Sequence, residues 1–217
     1  MENILPILLA DGPKALTELC GVNLLERLLR ILQRLGFREA IVFSTTPEIG
    51  AELSKHSWPR EQIIVHVVSG ATESLTPKLV LEQSRSERFL IVPANVYCDA
   101  RLLAALCAKA SSAALVDSNP PEFARSLIRN PCGPALVTRD FLFGLSPSVA
   151  LFEKLKNKVN NHEIDVVDAA DGGPEFARAR EAVGECRDFA RVGVRPFVGA
   201  ADLRGVRRVL ERVVRSI

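Results

Sequence analysis

The chain has 217 residues, 47% of them apolar and 25% charged, with a net charge of +2. That is length enough for one α/β domain spanning residues 1–217 with a full core, and the balanced charge makes no global case for nucleic acid or a membrane surface as partner. No apolar run reaches membrane-spanning length, the N-terminus lacks a signal-peptide pattern, and five scattered cysteines without a Cys-x-x-Cys pair point to reduced thiols in the cytoplasm and away from zinc.

The first seven residues of pattern, Ile4–Ala10, are continuously apolar, as in a strand buried on both faces. Pro6 is awkward there, because it brings no donor to a ladder. Asp11-Gly12-Pro13-Lys14 makes a tight turn, and Asn23 is placed to cap a helix whose leucines 24, 25, 28, 32 and 35 recur at helical spacing. Gly36 is its natural stop. Ala40–Ser44 is the second strand, so a βαβ unit with a right-handed crossover follows. In such units ligands sit where strand C-terminal ends meet helix N-terminal ends, which is where Lys14 stands.

The rhythm continues with a helix from Pro47 to about Lys55, a β-branched strand Ile63–Val68 and a helix ending near Ser86. Between the last two lies Ser69-Gly70-Ala71-Thr72-Glu73-Ser74, where glycine permits close approach and hydroxyls can read polar edges. An ordinary capped turn is the plainer reading of that loop. Arg88–Pro93 is a fourth, central strand, ending in Ala94-Asn95. Asp99 is expected to cap the helix Arg101–Lys109, and Cys98 and Cys107 to be small core residues. Strands at Ala113–Asp117, Ala135–Thr138 and Ile164–Val167, and a helix Ser146–Val159 capped by Ser146, complete the middle. Asp165, Asp168 and Asp171 cluster, but their spacing fits no standard metal loop. A helix at Pro174–Val183, a strand at Asp188–Val194 and an amphipathic arginine-rich helix at Asp202–Arg215 are expected to close the chain.

Leu9-Ala10, Pro13-Lys14-Ala15-Leu16 and Gly21-x-x-Leu24-Leu25-Glu26-x-x-Leu29 resemble the opening of the sugar-phosphate nucleotidyltransferases, including their polyol- and inositol-phosphate branches. The likeness covers the first half well, to about Leu106, and the second half weakly. It implies a three-layer, Rossmann-like α/β fold with a mostly parallel mixed central sheet. It also implies nucleotidyl transfer from a nucleoside triphosphate to a sugar or polyol phosphate, with pyrophosphate leaving. Lys14 then matches the lysine that neutralises charge near the transferred phosphate. Ala10, Asp11 and Gly12 stand at the place of the nucleotide-facing loop, while Gly70, Thr72 and Ser74 match the loop near base and ribose and Asn95 the end of the fourth strand.

Three departures bear on activity. The family's glycine-rich, arginine-bearing loop is shortened here to Asp11-Gly12. Its first magnesium-holding aspartate corresponds to Asn95, which brings no charge to a hard cation. Its second corresponds to Val198 or Pro196, just before the matching Asp202-Leu203. No metal ligand is therefore carried over, and magnesium is implied only for an active enzyme. The resulting expectation is weak or absent transfer. The alternative is a catalytically silent homologue that binds a nucleotide or a protein. A homo-oligomer, or a membrane-embedded CDP-alcohol phosphotransferase beside the arginine-rich end, are the partners the resemblance brings with it.

Overall fold

The computed structural model describes residues 3–10, 12–19, 21–55, 63–70, 75–116, 132–146, 151–168 and 197–199. The chain opens with β1 (Ile4–Leu9), a 3-10 turn (Pro13–Leu16) and a small hairpin of β2 (Glu18–Leu19) and β3 (Val22–Asn23). Then follow α1 (Leu24–Arg34), β4 (Glu39–Ser44), α2 (Pro47–Ser54), β5 (Ile64–Ser69), α3 (Pro77–Gln83), β6 (Arg88–Pro93), β7 (Val96–Cys98) and α4 (Ala100–Cys107). The remaining elements are β8 (Ala113–Val116), β9 (Cys132–Thr138), α5 (Arg139–Phe143), α6 (Leu151–Asn160), β10 (Asp165–Asp168) and β11 (Phe197–Gly199).

Seven strands form one mixed sheet in the order β10-β8-β9-β6-β1-β4-β5, with β9 antiparallel to both neighbours and the other pairings parallel. β1 is buried along its length and alternates between two cores. Ile4 and Leu8 pack with Leu25, Leu28, Leu29 and Leu32 of α1, Ile49 of α2 and Leu102, Leu103 and Leu106 of α4. Leu5, Ile7 and Leu9 pack on the other face with Val80 of α3, Leu142 of α5 and Leu151 and Leu155 of α6. Each fully buried leucine or isoleucine here contributes roughly 1.5–3 kcal/mol. This is the three-layer, mostly parallel α/β architecture expected from the sequence. Among the described residues no helix is long and apolar enough to cross a membrane.

Three prolines lie inside strands, and ladder parity explains each. In β1 the even residues turn their backbone groups toward β4, since the Ala10 N–H donates to Phe43 O at 2.9 Å. Pairing with β4 begins only at Ile7, so Pro6 lacks a donor where no ladder has yet formed. In β6 the even residues face β1, as the Ala94 N–H to Leu9 O bond of 2.8 Å shows. Pro93 therefore faces the β9 side, beyond the last pair, Ile91–Ala135. Pro134 falls within the irregularity of the β8/β9 ladder between Ala114 and Val116.

Helix α1 has the ends its sequence calls for. Asn23 Oδ1 accepts the Glu26 N–H at 2.8 Å. Gly36 has φ +89°, its N–H donates to Gln33 O, and the Phe37 N–H donates to Leu32 O, which makes a complete Schellman stop. Asn23 Nδ2 also donates to Glu52 Oε1 at 3.0 Å, tying the start of α1 to α2.

Several boundaries differ from expectation. β9 begins three residues earlier than the expected Ala135, at Cys132, and α5 was not anticipated. The described part of the helix expected from Ser146 is α6, from Leu151 to Asn160; residues 147–150, and the elements expected at 174–183, 188–194 and 202–215, lie outside the described residues. β5 is an edge strand, and Ile64 and Val67 are exposed on it.

Replacing Asn23 by Ala removes the cap and the link to Glu52 together. We expect a loss of about 1–2 kcal/mol in urea unfolding, with Asn23→Asp recovering the cap but not the link, because a carboxylate would then face Glu52.

Candidate functional site

The path of the chain reverses its direction across the sheet between β1 and β6. From β1 it runs through α1 to β4 and through α2 to β5, always outward on one side. α3 then returns it across the other face to β6, on the opposite side of β1. The segments leaving β1 and β6 lead to α1 and, through β7, to α4, both packed in one core, and a reversal of strand order such as that at β1/β6 is where doubly wound sheets bind ligands. Leu9 pairs with Pro93, so Ala10–Lys14 and Ala94–Asn95 leave the sheet side by side.

The loop after β1 is held from the β4 side. Ala10 is fully buried; its N–H donates to Phe43 O, and its carbonyl accepts the Ser44 hydroxyl at 2.7 Å. The Gly12 N–H donates to Thr46 Oγ1 at 3.0 Å. Gly12 has φ +66° and ψ −176°, a region that glycine alone enters without strain. The 3-10 turn follows, with Ala15 fully buried against α1 and Lys14 exposed. Lys14 forms no ion pair with another described residue. The turn ends where Thr17 O accepts the Leu24 N–H at 3.1 Å, returning the chain to α1. Asp11 lies outside the described residues.

Asn95 is half-buried in the turn between β6 and β7, and its side chain makes no hydrogen bond to another described residue. Asp99, the nearest following carboxylate, is committed elsewhere. Its Oδ1 accepts the Arg101 N–H at 2.8 Å and Nε–H at 3.0 Å, and its Oδ2 accepts the other guanidinium nitrogen at 2.9 Å. These bonds hold the Asp99 carboxyl below its ordinary range, against the opposing effect of partial burial. It is a helix cap, as expected. β11 pairs antiparallel with β7 and sets Val198 opposite Tyr97 and Gly199 opposite Val96. The backbone of residue 198, one of the two positions matched above to the second aspartate of the family, is therefore brought beside β7, which follows the Asn95 turn; the other, Pro196, lies outside the described residues. Burial raises the Cys98 thiol well above its ordinary range and pushes Cys107 up to about 11, so both are inert core groups.

Gly70 has a packing reason. Its N–H donates to Ser44 O at 3.1 Å, and a Cβ built on it would lie 2.5 Å from Cζ of the buried Phe43 ring. Thr72 and Ser74, expected beside it, lie outside the described residues. The structure thus brings Ala10, Gly12, Lys14 and Asn95 to one edge and leaves Gly70 two strands beyond β1, at the end of β5. Two residues not singled out from the sequence, Ser44 and Thr46, hold the β1 loop. The signal for them was three hydroxyl residues in a row, Ser44-Thr45-Thr46, directly after a buried strand.

Among the described residues no three His, Cys, Asp or Glu side chains stand together as a metal site would require. Asp165 accepts the Ser111 hydroxyl on β10, the outer strand farthest from β5 and three strands away from β6.

No protein-family model matches the sequence, and no curated protein matches it in sequence. Solved structures do match in shape. The inositol-1-phosphate CTP transferase from T. maritima is 13% identical with a TM-score of 0.54, covering 76% of this chain and 85% of that one. A nucleotidyl transferase from Methanothermobacter is 16% identical with a TM-score of 0.52, covering 77% and 88%. The 4-diphosphocytidyl-2C-methyl-D-erythritol synthase from Anaerococcus prevotii is 16% identical with a TM-score of 0.51, covering 76% and 86%. At such identities the likeness is one of fold, and the fold is that of the nucleotidyltransferases.

Two outcomes follow. Gly70→Ala should destabilise the protein by about 1–3 kcal/mol, and the double variant with Phe43→Leu should lose less than the sum of the single changes; additive losses in a thermal double-mutant cycle would contradict the contact. Asp99→Asn keeps a capping oxygen but removes the charge. Because the folded pKa of Asp99 is depressed, its charge stabilises the fold above the ordinary Asp range near pH 3.9. The stability gap between wild type and Asp99→Asn should be flat at neutral pH and close as pH falls through the folded pKa, read from urea midpoints.

Proposed function

We propose that this chain is a divergent member of the sugar-phosphate nucleotidyltransferases that binds a nucleoside triphosphate in the β1/β6 crevice and transfers its nucleotidyl group slowly or not at all. The observation that carries the reading is the side-by-side exit of the Lys14 loop and the Asn95 turn at the switch point. Its support in sequence is the Pro13–Leu16 block, the one part of the family's phosphate-handling loop that persists.

Nucleotidyl transfer needs little from a protein base, because the attacking sugar or polyol phosphate is already anionic. It needs positioning and neutralisation of charge on the phosphates. Lys14 supplies one positive charge at the crevice. Asn95 supplies an amide, which can donate and accept at a ribose, base or phosphate oxygen but cannot balance a cation's charge. The Gly12 N–H is engaged by Thr46 and does not serve a phosphate. Magnesium is implied by the family, yet the described residues do not fit it: Asn95 is neutral and Asp99 is held by Arg101. No step of the proposed mechanism therefore runs through a metal. Losing electrostatic elements worth several kcal/mol each would slow transfer by orders of magnitude, while leaving the lysine and the crevice able to hold a triphosphate.

Calorimetric titration with each of the four ribonucleoside triphosphates tests binding, and pyrophosphate release with a panel of sugar and polyol phosphates tests transfer. We expect one triphosphate to bind and Lys14→Ala to weaken it by about tenfold, the scale of one charge-assisted contact. Pyrophosphate release should stay near the protein-free rate. Rapid release that depends on Lys14 would contradict the proposed loss of activity, and no binding by folded protein would contradict the whole reading.

A further inference from the structure

Thr46 occupies the N-cap position of α2, yet its hydroxyl makes no capping bond to that helix. It accepts the Gly12 N–H instead, across 34 residues of sequence. Beside it, the buried Ser44 hydroxyl donates to Ala10 O at 2.7 Å and accepts the Thr46 N–H at 3.0 Å. With the Ala10 N–H to Phe43 O bond, three hydrogen bonds join residues 10 and 12 to residues 43–46, and a fourth ties Thr46 to Ser44. β4 lies on the opposite side of β1 from β6, so the loop is gripped from behind and its other side is left to the crevice.

We propose that Thr46, with Ser44 beneath it, is a positioning residue that fixes the geometry of the Lys14 loop and thereby sets triphosphate affinity without touching the ligand. This rests on the function proposed above and extends it to a residue on a different strand. Thr46 suits the task physically. A helix cap has substitutes, whereas a Gly12 amide left without an acceptor in a part-buried loop costs more than the bond gains. Lys14 follows Gly12 by two residues, with Pro13 fixing the intervening φ. A loop released at Gly12 therefore loses its hold on Lys14, and the ordering must be repaid when the ligand binds.

The test compares Thr46→Val, which keeps shape and loses the acceptor, with Thr46→Ser, which keeps the acceptor. The first measurement is amide hydrogen exchange over residues 10–17 in nucleotide-free protein. The second is the affinity for whichever of ATP, CTP, GTP and UTP binds wild type. The expected result is faster exchange at Gly12 and about fivefold weaker binding in Thr46→Val, with Thr46→Ser near wild type. Thermal melting should show both variants folded; Ser44→Ala, which removes the lower half of the network, provides a second variant should Thr46→Val fail to fold, and it should likewise speed exchange at residues 10–12. Unchanged exchange in the folded variants overturns the clamp. Faster exchange with unchanged affinity overturns its role in binding. Faster exchange in Thr46→Val, with a wild type that binds no triphosphate, leaves the clamp standing as a structural device and sinks the proposed function instead.

Discussion

The six-residue pairing of β1 with β6 is the constraint on which the molecule is built. It joins the first strand to the strand that follows three helical crossovers, two outward over one face and one back over the other. Once β1 is sandwiched between β4 and β6, its alternating side chains are committed to both cores and its C-terminal end has nowhere to go but the crevice edge. A one-residue slip would exchange the two core faces at every position of β1. The prolines report the same constraint from the other direction: Pro6, Pro93 and Pro134 each fall where a ladder is absent or irregular, so the register that builds the crevice also accommodates the missing donors.

At that edge the balance between structural and chemical use of polar groups leans toward structure. The backbone of Ala10 is tied to β4 on both its groups, the Gly12 amide is held by Thr46, and Asp99 is a cap paired with Arg101. Lys14 and Asn95 are the described groups left without such commitments. A site of that composition can hold an anion or read a hydroxyl. Among the described residues at this edge no carboxylate is free of a structural partner to bring a hard cation to a triphosphate.

Much of the fold was legible because its signals are local. Continuous apolar residues marked β1 and β6, Asn23 and Gly36 bracketed α1, and Asp99 stood where a cap was needed. β9 was only half visible, because Cys132-Gly133-Pro134 reads as a loop. Nothing in a sequence says that a strand inserts antiparallel between β6 and β8; that depends on long-range pairing. β7 and β11 were missed for the same reason, since three-residue strands carry no periodicity. Lys14 and Asn95 were singled out through the motif they sit in, and the pairing of Leu9 with Pro93 sets their two segments side by side. Thr46 was hidden because an N-cap threonine has an adequate local explanation, and the hydroxyl's actual partner is 34 residues away. Gly70 was noticed for a loop's sake, while the contact that demands glycine there is the ring of Phe43 on the neighbouring strand.

The most direct test of the crevice is a hydrogen-exchange footprint of the whole chain with and without saturating triphosphate. The account predicts protection concentrated at residues 9–16 and 93–98, the two segments that leave β1 and β6 together. Protection confined to the β5 edge, with residues 9–16 unaffected, would contradict it.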